Sequence, residues 1–303
     1  AIHNSLRAEI YRILSECYKE PCIEFAQDLA EGRLYNELEG NLTRLGISIS
    51  LDGLSISASG VERREGEAPS GSADGGGWSL PFNRDKAADL LQSLKEIFYP
   101  LFVGPSPSLV LPVESAYKVW DQGGSGLVSS EVRGMLMGDP AIDMIRRYKA
   151  AGMEIPAIYK DMPDHLALLL EYMAFLCEAQ TEQIDIEQRA DASVGKGRLH
   201  PAMPVEGDGR SPAIEQRADA SVGKGRLHPA MPVEGDGRSP VIALRTRFID
   251  EHLDWLPELH RLIFSYTDRL PVSPGPLFYR AVADVTVAFV ASEKELYLKK
   301  EMA

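Results

Sequence analysis

The sequence has little cysteine, a deficit of basic charge and no long apolar run. Its three cysteines, Cys17, Cys22 and Cys177, are too few for a disulfide framework, and Cys17 and Cys22 lack the spacing of a zinc knuckle. Lys and Arg total 32 against 45 Asp and Glu, which gives a net charge of −13. This balance argues against nucleic-acid binding, which needs a basic surface, and favours a basic partner.

The longest apolar stretch is too short to cross a membrane. It covers residues 166–176, about 11 residues including Glu171, whereas a spanning helix needs about 20. No basic-then-apolar leader opens the chain. We therefore expect a cytoplasmic protein without stable membrane insertion. The hydrophobic content of 44% is enough for a substantial core.

Apolar residues recur with helical periodicity through most of the chain. In the first such stretch, residues 5–19, one stripe contains Leu6, Ile10, Ile13, Leu14 and Cys17. The pattern predicts helices at 5–19, 23–31, 34–45, 84–99, 129–136, 139–151, 163–180, 243–267 and 276–298. The predicted fold is an all-α, single-domain helical bundle over residues 1–303.

Two stretches depart from this pattern. Residues 47–58 alternate around Asp52-Gly53, which predicts a small β-hairpin, and the Gly/Ser-rich residues 59–77 predict a flexible loop. Residues 186–212 recur unchanged at 214–240, with a period of 28 residues. Because each copy has little apolar content, we interpret 186–240 as a disordered duplicated insertion rather than as a solenoid.

The repeat contains a motif that resembles a phosphate-binding loop, "ADASVGKG". Ala190 replaces its first glycine, Gly197 replaces the magnesium-binding Ser or Thr, and no strand precedes it. This motif therefore does not lead us to predict a nucleotide, and whether a guanine nucleotide binds stays open. His200 and His228 have no second ligand nearby in the sequence and are expected to be solvated.

The segment "MPDHLALLLEYMAFL" (162–176) places Asp164 and His165 before an apolar helix. Adjacent helical residues point about 100° apart, so this pair is a poor catalytic dyad, and His252 and His260 do not share a helical face. Helix capping explains the segment better, with Asp161 as N-cap and Pro163 in the first turn. Capping does not explain His165, because a cation is disfavoured at a helix N-terminus.

Four motifs resemble one known family. They are "YPLFVGP" (99–105), "LPVESAYKVW" (111–120), "PDHLALLLEYMAFL" (163–176) and "EHLDWLPEL" (251–259), and the first helix, "RAEIYRILSECYKEP" (7–21), fits as well. Together they resemble the TorD/DmsD/NarJ family of molybdoenzyme-specific chaperones, also called redox enzyme maturation proteins. The similarity extends from about residue 5 to 298.

The resemblance implies an all-helical, non-enzymatic chaperone of the TorD/DmsD type. Such a protein binds the twin-arginine signal peptide or the body of a molybdoenzyme catalytic subunit, and delays export until the cofactor is inserted. The implied client-binding residues are Leu101, Phe102, Gly104, Pro105, Glu114, Tyr117, Trp120, Pro163, Asp164, His165, Leu166, His252 and Trp255. Neither a metal nor a cofactor is predicted, and a monomer and a homodimer both remain open.

A twin-arginine leader has two arginines followed by an apolar segment. Its receptor should combine an apolar groove with carboxylates at one end. Glu114 and Asp164 are the expected carboxylates, and Phe102, Tyr117, Trp120 and Leu166 the expected apolar wall. The alternative is a helical enzyme or metal-binding protein that uses Asp164, His165 and His252.

Overall fold

The computed structural model describes residues 2–51, 54, 84–107, 109–118, 136–179 and 240–301. Within these ranges the protein is all-α, as the periodicity predicts, with nine α-helices and no strand. The helices are α1 (Ile2–Cys17), α2 (Ile23–Ala30), α3 (Arg33–Leu45), α4 (Arg84–Phe98), α5 (Asp139–Ala151), α6 (Leu166–Glu178), α7 (Pro240–His252), α8 (Leu256–Thr267) and α9 (Pro274–Glu301). A π-helical turn (Tyr99–Val103) and two 3-10 turns (Glu114–Ala116 and Ala157–Tyr159) complete them.

Helix α6 is the centre of the core. Its residues are apolar on nearly every side, which is typical of a helix buried all round. The helix packs against α1 and α7. The stripe predicted on α1 faces this core, and all five of its side chains are buried.

A second group of helices, α2, α4 and α9, packs beside the first. Phe98 at the end of α4, Phe102 in the π-helical turn and Tyr279 of α9 form an aromatic cluster, with ring centroids 5.5 Å apart for Phe98–Phe102 and for Phe102–Tyr279. Rings at this separation gain edge-to-face attraction in addition to apolar burial. The cluster holds the π-helical turn against the body of the protein.

Several predicted boundaries differ from the structure. The single helix predicted at 243–267 is two helices, because the chain turns at residues 253–255 before α8 begins at Leu256, with Pro257 in its first turn. Residues 47–51 contain no strand. The rest of the predicted hairpin apart from Leu54, the loop at 59–77, the helix at 129–136 apart from Leu136, and the insertion at 186–240 apart from Pro240 lie outside the described residues. Among the described helices, none is long and apolar enough to cross a membrane.

Candidate functional site

The segment of residues 112–118 is fixed to the start of α6. The Leu166 amide donates to the Pro112 carbonyl at 2.8 Å, and the Glu114 amide donates to the Asp164 carbonyl at 3.1 Å. Val113 and His165 thus form one isolated antiparallel bridge. These contacts bring together two motifs that lie about 50 residues apart in the sequence.

Asp164 is fully buried and anchors the segment of residues 112–118 through hydrogen bonds. Its Oδ2 accepts a hydrogen bond from the Ser115 amide at 2.7 Å and another from the Ser115 hydroxyl. The Ser115 hydroxyl in turn accepts from the Gly138 amide, just before α5, at 3.3 Å. Asp164 therefore links the starts of α5 and α6 to the 3-10 turn that carries Glu114.

His165, rather than Asp161, is the N-cap of α6. The helix begins at Leu166, and His165 Nδ1 accepts from the Ala167 amide at 3.2 Å. The predicted cap at Asp161 is wrong, since Pro163 and Asp164 precede the helix instead of forming its first turn. Burial, and to a smaller extent Lys19, lowers the His165 pKa to about 3. The imidazole is therefore neutral, which resolves the apparent conflict with the helix dipole.

His252 lies between two carboxylates. Its Nδ1 is 2.9 Å from Glu114 Oε2 and its Nε2 is 3.1 Å from Asp143 Oδ2. Burial opposes the charged ring, but the hydrogen bonds to Asp143 and Glu114 raise the His252 pKa above its usual value. Burial also acts to raise the Asp143 pKa, but hydrogen bonds from His252 and Arg147 lower it to about 2. Since both ring nitrogens meet carboxylate oxygens, the ring is a charged donor to both.

These groups line a cleft of about 300 Å³, here called the acidic cleft. Its walls are Glu114, Lys118, Asp139, Pro140, Asp143, Glu251 and His252. Four of the seven are carboxylates, against Lys118 and the charged His252. Arg147 lies behind the wall, 2.7 Å from Asp143 and 3.4 Å from Glu251. Asp139 is exposed, and no hydrogen bond or ion pair to it is found within the described part of the chain.

An aromatic pair lies next to the acidic cleft. Tyr117 stacks on Trp255 with ring centroids 4.7 Å apart and planes inclined by 21°. The Trp255 indole N–H donates to the His252 carbonyl at 2.8 Å, which satisfies a carbonyl at the end of α7. Trp255 is buried, whereas Tyr117 is half-buried. Only the tyrosine therefore offers aromatic surface to a partner.

The predicted site residues separate into three groups. Glu114 and Tyr117 lie within residues 112–118, and Asp164, His252 and Trp255 contact this segment. Leu101 and Phe102 are core residues, whereas Gly104 is half-buried and Pro105 is exposed. Pro163, His165 and Leu166 are buried at the start of α6. Trp120 lies outside the described residues.

Six residues of the cleft region were not found by sequence reasoning: Lys118, Asp139, Pro140, Asp143, Arg147 and Glu251. A partial signal exists, because Asp143–Arg147 and Arg247–Glu251 are ion pairs with i,i+4 spacing on α5 and α7. Such pairs are common on exposed helix faces, so the spacing alone does not indicate a cleft.

The residues of the alternative enzyme or metal hypothesis do not converge. Asp164 binds Ser115, the His165 ring lies against Tyr159 with centroids 4.7 Å apart, and His252 lies between Glu114 and Asp143. In the described ranges no group of three or more His, Cys, Asp or Glu residues is arranged to hold a metal ion.

The fold and the cleft thus define an all-helical protein with a preformed acidic recess beside an aromatic pair. Residues 79–198 match the family described as nitrate reductase delta subunit. The matched range contains three of the four motifs that indicate the TorD/DmsD/NarJ family, and it confirms that resemblance and the class of molybdoenzyme maturation chaperones that it implies. No curated protein and no solved structure matches the chain.

Proposed function

We propose that the protein is a non-enzymatic cytoplasmic chaperone that binds the twin-arginine signal peptide of a molybdoenzyme catalytic subunit. The acidic cleft, which lies largely within the region that matches the delta-subunit family, is the observation that carries this proposal. The arginine pair of the leader enters the cleft, and the apolar part of the leader continues over the neighbouring surface.

The charge of the cleft suits an arginine pair. The four carboxylates of its wall exceed its cations, Lys118 and His252, by two, which is the charge of the arginine pair. Arg147 does not line the cleft, but it reduces this excess of negative charge by pairing with Asp143 and Glu251. A guanidinium group binds carboxylates through two parallel N–H···O bonds, so the cleft selects arginine over lysine by geometry. Asp139 is the carboxylate most available to a ligand, because it is exposed and forms no hydrogen bond or ion pair within the described residues.

Apolar surface is available beside the cleft. Leu136, Met137 and Ile142 are 43%, 39% and 40% exposed, and in the sequence they flank Asp139 and Pro140 of the cleft wall. Exposed large apolar side chains grouped at a polar rim are typical of a peptide-binding surface. Tyr117, the neighbour of Lys118 in the chain, supplies an aromatic contact.

The experiment is calorimetric titration of the full chain with a synthetic twin-arginine leader and with the same leader carrying two lysines. We expect weaker binding of the lysine leader and weaker binding at higher salt, because lysine lacks the planar fork and salt screens the exposed part of the cleft. Asp139→Asn should lower the affinity for the arginine leader by about fivefold, or roughly 1 kcal/mol, the upper value for a partly screened ion pair.

Glu37→Gln is the matched control, because it removes one exposed carboxylate from α3, which packs on α1 and α2. Its affinity for the leader should equal that of the wild type. Equal affinity for both leaders, together with no effect of Asp139→Asn, would refute the assignment of the cleft. If the leader binds as expected, capture of the catalytic subunit by the tagged chain identifies the client reductase.

A further inference from the structure

The ammonium group of Lys118 is surrounded by three oxygen atoms at one end of the acidic cleft. Lys118 Nζ lies 2.8 Å from Glu114 Oε1 and 3.1 Å from Asp254 Oδ1, and it donates to the main-chain carbonyl of Glu251. The three oxygens come from the 3-10 turn, the last turn of α7 and the turn after α7. They form a preformed site for one cation.

Two of the three oxygens, Glu114 Oε1 and the Glu251 carbonyl, have a particular physical reason to attract positive charge. The Glu114 carboxylate is only 1% exposed, so water screens it poorly. The Glu251 carbonyl belongs to the C-terminal turn of α7, where the helix dipole is negative. His252 already compensates the other oxygen of Glu114, Oε2, which leaves Oε1 directed at the cation.

Lys118 is bound to this site without being locked in it. Its side chain is 25% exposed, and a four-carbon stem allows the ammonium to withdraw into solvent. An ammonium has no planar fork, so it cannot satisfy two oxygens in parallel as a guanidinium does. A guanidinium from another chain would therefore use the same oxygens better than Lys118 does.

We propose that Glu114 Oε1, the Glu251 carbonyl and Asp254 form a guanidinium-binding site, and that Lys118 occupies it as an internal substitute until an arginine displaces it. The inference rests on the proposed function, since the arginine comes from the leader pair. Lys118 then lowers the apparent affinity for every cationic ligand, because only the fraction of molecules with Lys118 withdrawn can bind. A leader with a single basic residue at another position would not displace Lys118.

The test compares Lys118→Met with the wild type. If Lys118 occupies the site about nine-tenths of the time, its removal should tighten binding of the arginine leader about tenfold. Lys294→Met is the matched control, because Lys294 likewise pairs with a carboxylate, Asp250, but does not line the cleft. Its affinity should stay at the wild-type value.

A second measurement is independent of the leader. Arginine amide at millimolar concentration should raise the melting temperature of Lys118→Met by about 2–4 °C, since a ligand of the folded state stabilises it, and should raise that of the wild type less. If the methionine variant does not fold, Lys118→Gln replaces it, because an amide removes the charge but keeps hydrogen-bond donors.

The outcomes separate the two proposals. Unchanged leader affinity in Lys118→Met and no effect of arginine amide would overturn the guanidinium site, while the proposed function stands if the wild type still prefers the arginine leader. Absence of leader binding in every variant, with arginine amide still stabilising Lys118→Met, would overturn the proposed function and support the cation site.

Discussion

At the residue scale, two histidines with the same reference pKa have opposite environments. His165 is buried beside Tyr159 and has no carboxylate partner among the contacts described, so it stays neutral. His252 meets Glu114 and Asp143, which are 138 and 109 residues away in the sequence, so it is charged. The sequence singled out both histidines, but their protonation depends on neighbours that only the fold brings close.

This contrast predicts opposite pH dependences. The pKa of His165 is about 3 in the folded protein, against 6.5 for a histidine in the unfolded chain. As the pH falls from 6.5 towards 3, only the unfolded chain takes up this proton, so the folded state loses stability in that range. The His252 pKa is raised, so its contribution is complete below 6.5 and is lost as pH rises through the folded value. Each group contributes a slope of at most about 1.4 kcal/mol per pH unit.

Urea unfolding from pH 5 to pH 8 measures both effects. His165→Asn keeps a capping oxygen and should flatten the decline of the wild type below pH 6.5, whereas His252→Gln should flatten the decline above it. Parallel curves for wild type and variants throughout this range would show that neither histidine changes its protonation on folding.

Asp164 provides a second test at this scale. Asp164→Asn replaces the carboxyl acceptor of the Ser115 amide and hydroxyl by an amide, and should lower the free energy of unfolding by about 1.5–3 kcal/mol. Asp161→Asn is the control, because Asp161 is exposed and does not cap α6; its effect should stay within about 0.5 kcal/mol. A client contact predicts the reverse for Asp164→Asn, namely unchanged stability with weaker leader binding.

At the element scale, the periodicity locates helices well and their ends poorly. The apolar run at 166–176 indicates the buried helix α6, but its cap is a histidine that sequence preferences do not favour. The break between α7 and α8 escapes the pattern for a related reason. Leu253 and Trp255 are buried as helical residues of this run would be, so the apolar period continues across the turn.

The contact between α4 and α9 depends on a glycine that the sequence does not distinguish. A Cβ atom on Gly275 would lie 2.3 Å from the Ser93 carbonyl oxygen, a backbone atom that cannot move aside cheaply. Gly275→Ala should therefore lower the free energy of unfolding by about 1–3 kcal/mol, the usual effect of overpacking. Urea unfolding measures the change.

Gly40 in α3 is the matched control. A Cβ atom there meets nothing within 4 Å, so Gly40→Ala should raise the free energy of unfolding by about 0.5–1 kcal/mol through helix propensity alone. If both substitutions lowered the free energy of unfolding, the effect of Gly275→Ala could not be assigned to the close contact between α4 and α9.

At the scale of the whole molecule, helical periodicity was sufficient to predict the all-α class, because apolar stripes such as that of α1 need only local spacing. The acidic cleft was not predictable in the same way. Glu114, Asp143 and His252 come from three segments, and their meeting depends on how α5 and α7 pack around residues 112–118. Only Glu114 and His252 were identified, through the family resemblance.

The side chain of Arg245 connects the end of α6 to α7. Its guanidinium, 3% exposed, donates to the carbonyls of Leu176 at 2.9 Å and Cys177 at 2.8 Å, and so ties the end of α6 to α7. These bonds satisfy carbonyls that a helix end leaves unpaired. The two helices are therefore joined directly, and we expect the duplicated sequence between them to be dispensable for folding.

Deletion of one repeat unit, residues 186–213, tests this arrangement. Roughly halving the connection changes its closure entropy by about 0.6 kcal/mol, so the melting temperature should rise by no more than about 2 °C. Arg245→Met is the comparison, because it leaves buried carbonyls without a donor and should lower the free energy of unfolding by at least about 2 kcal/mol. Thermal denaturation of the wild type, the deletion and Arg245→Met measures these effects. A cooperative loss of many degrees in the deletion alone would mean that the repeat packs on the helical body, and that the duplication added structure rather than length.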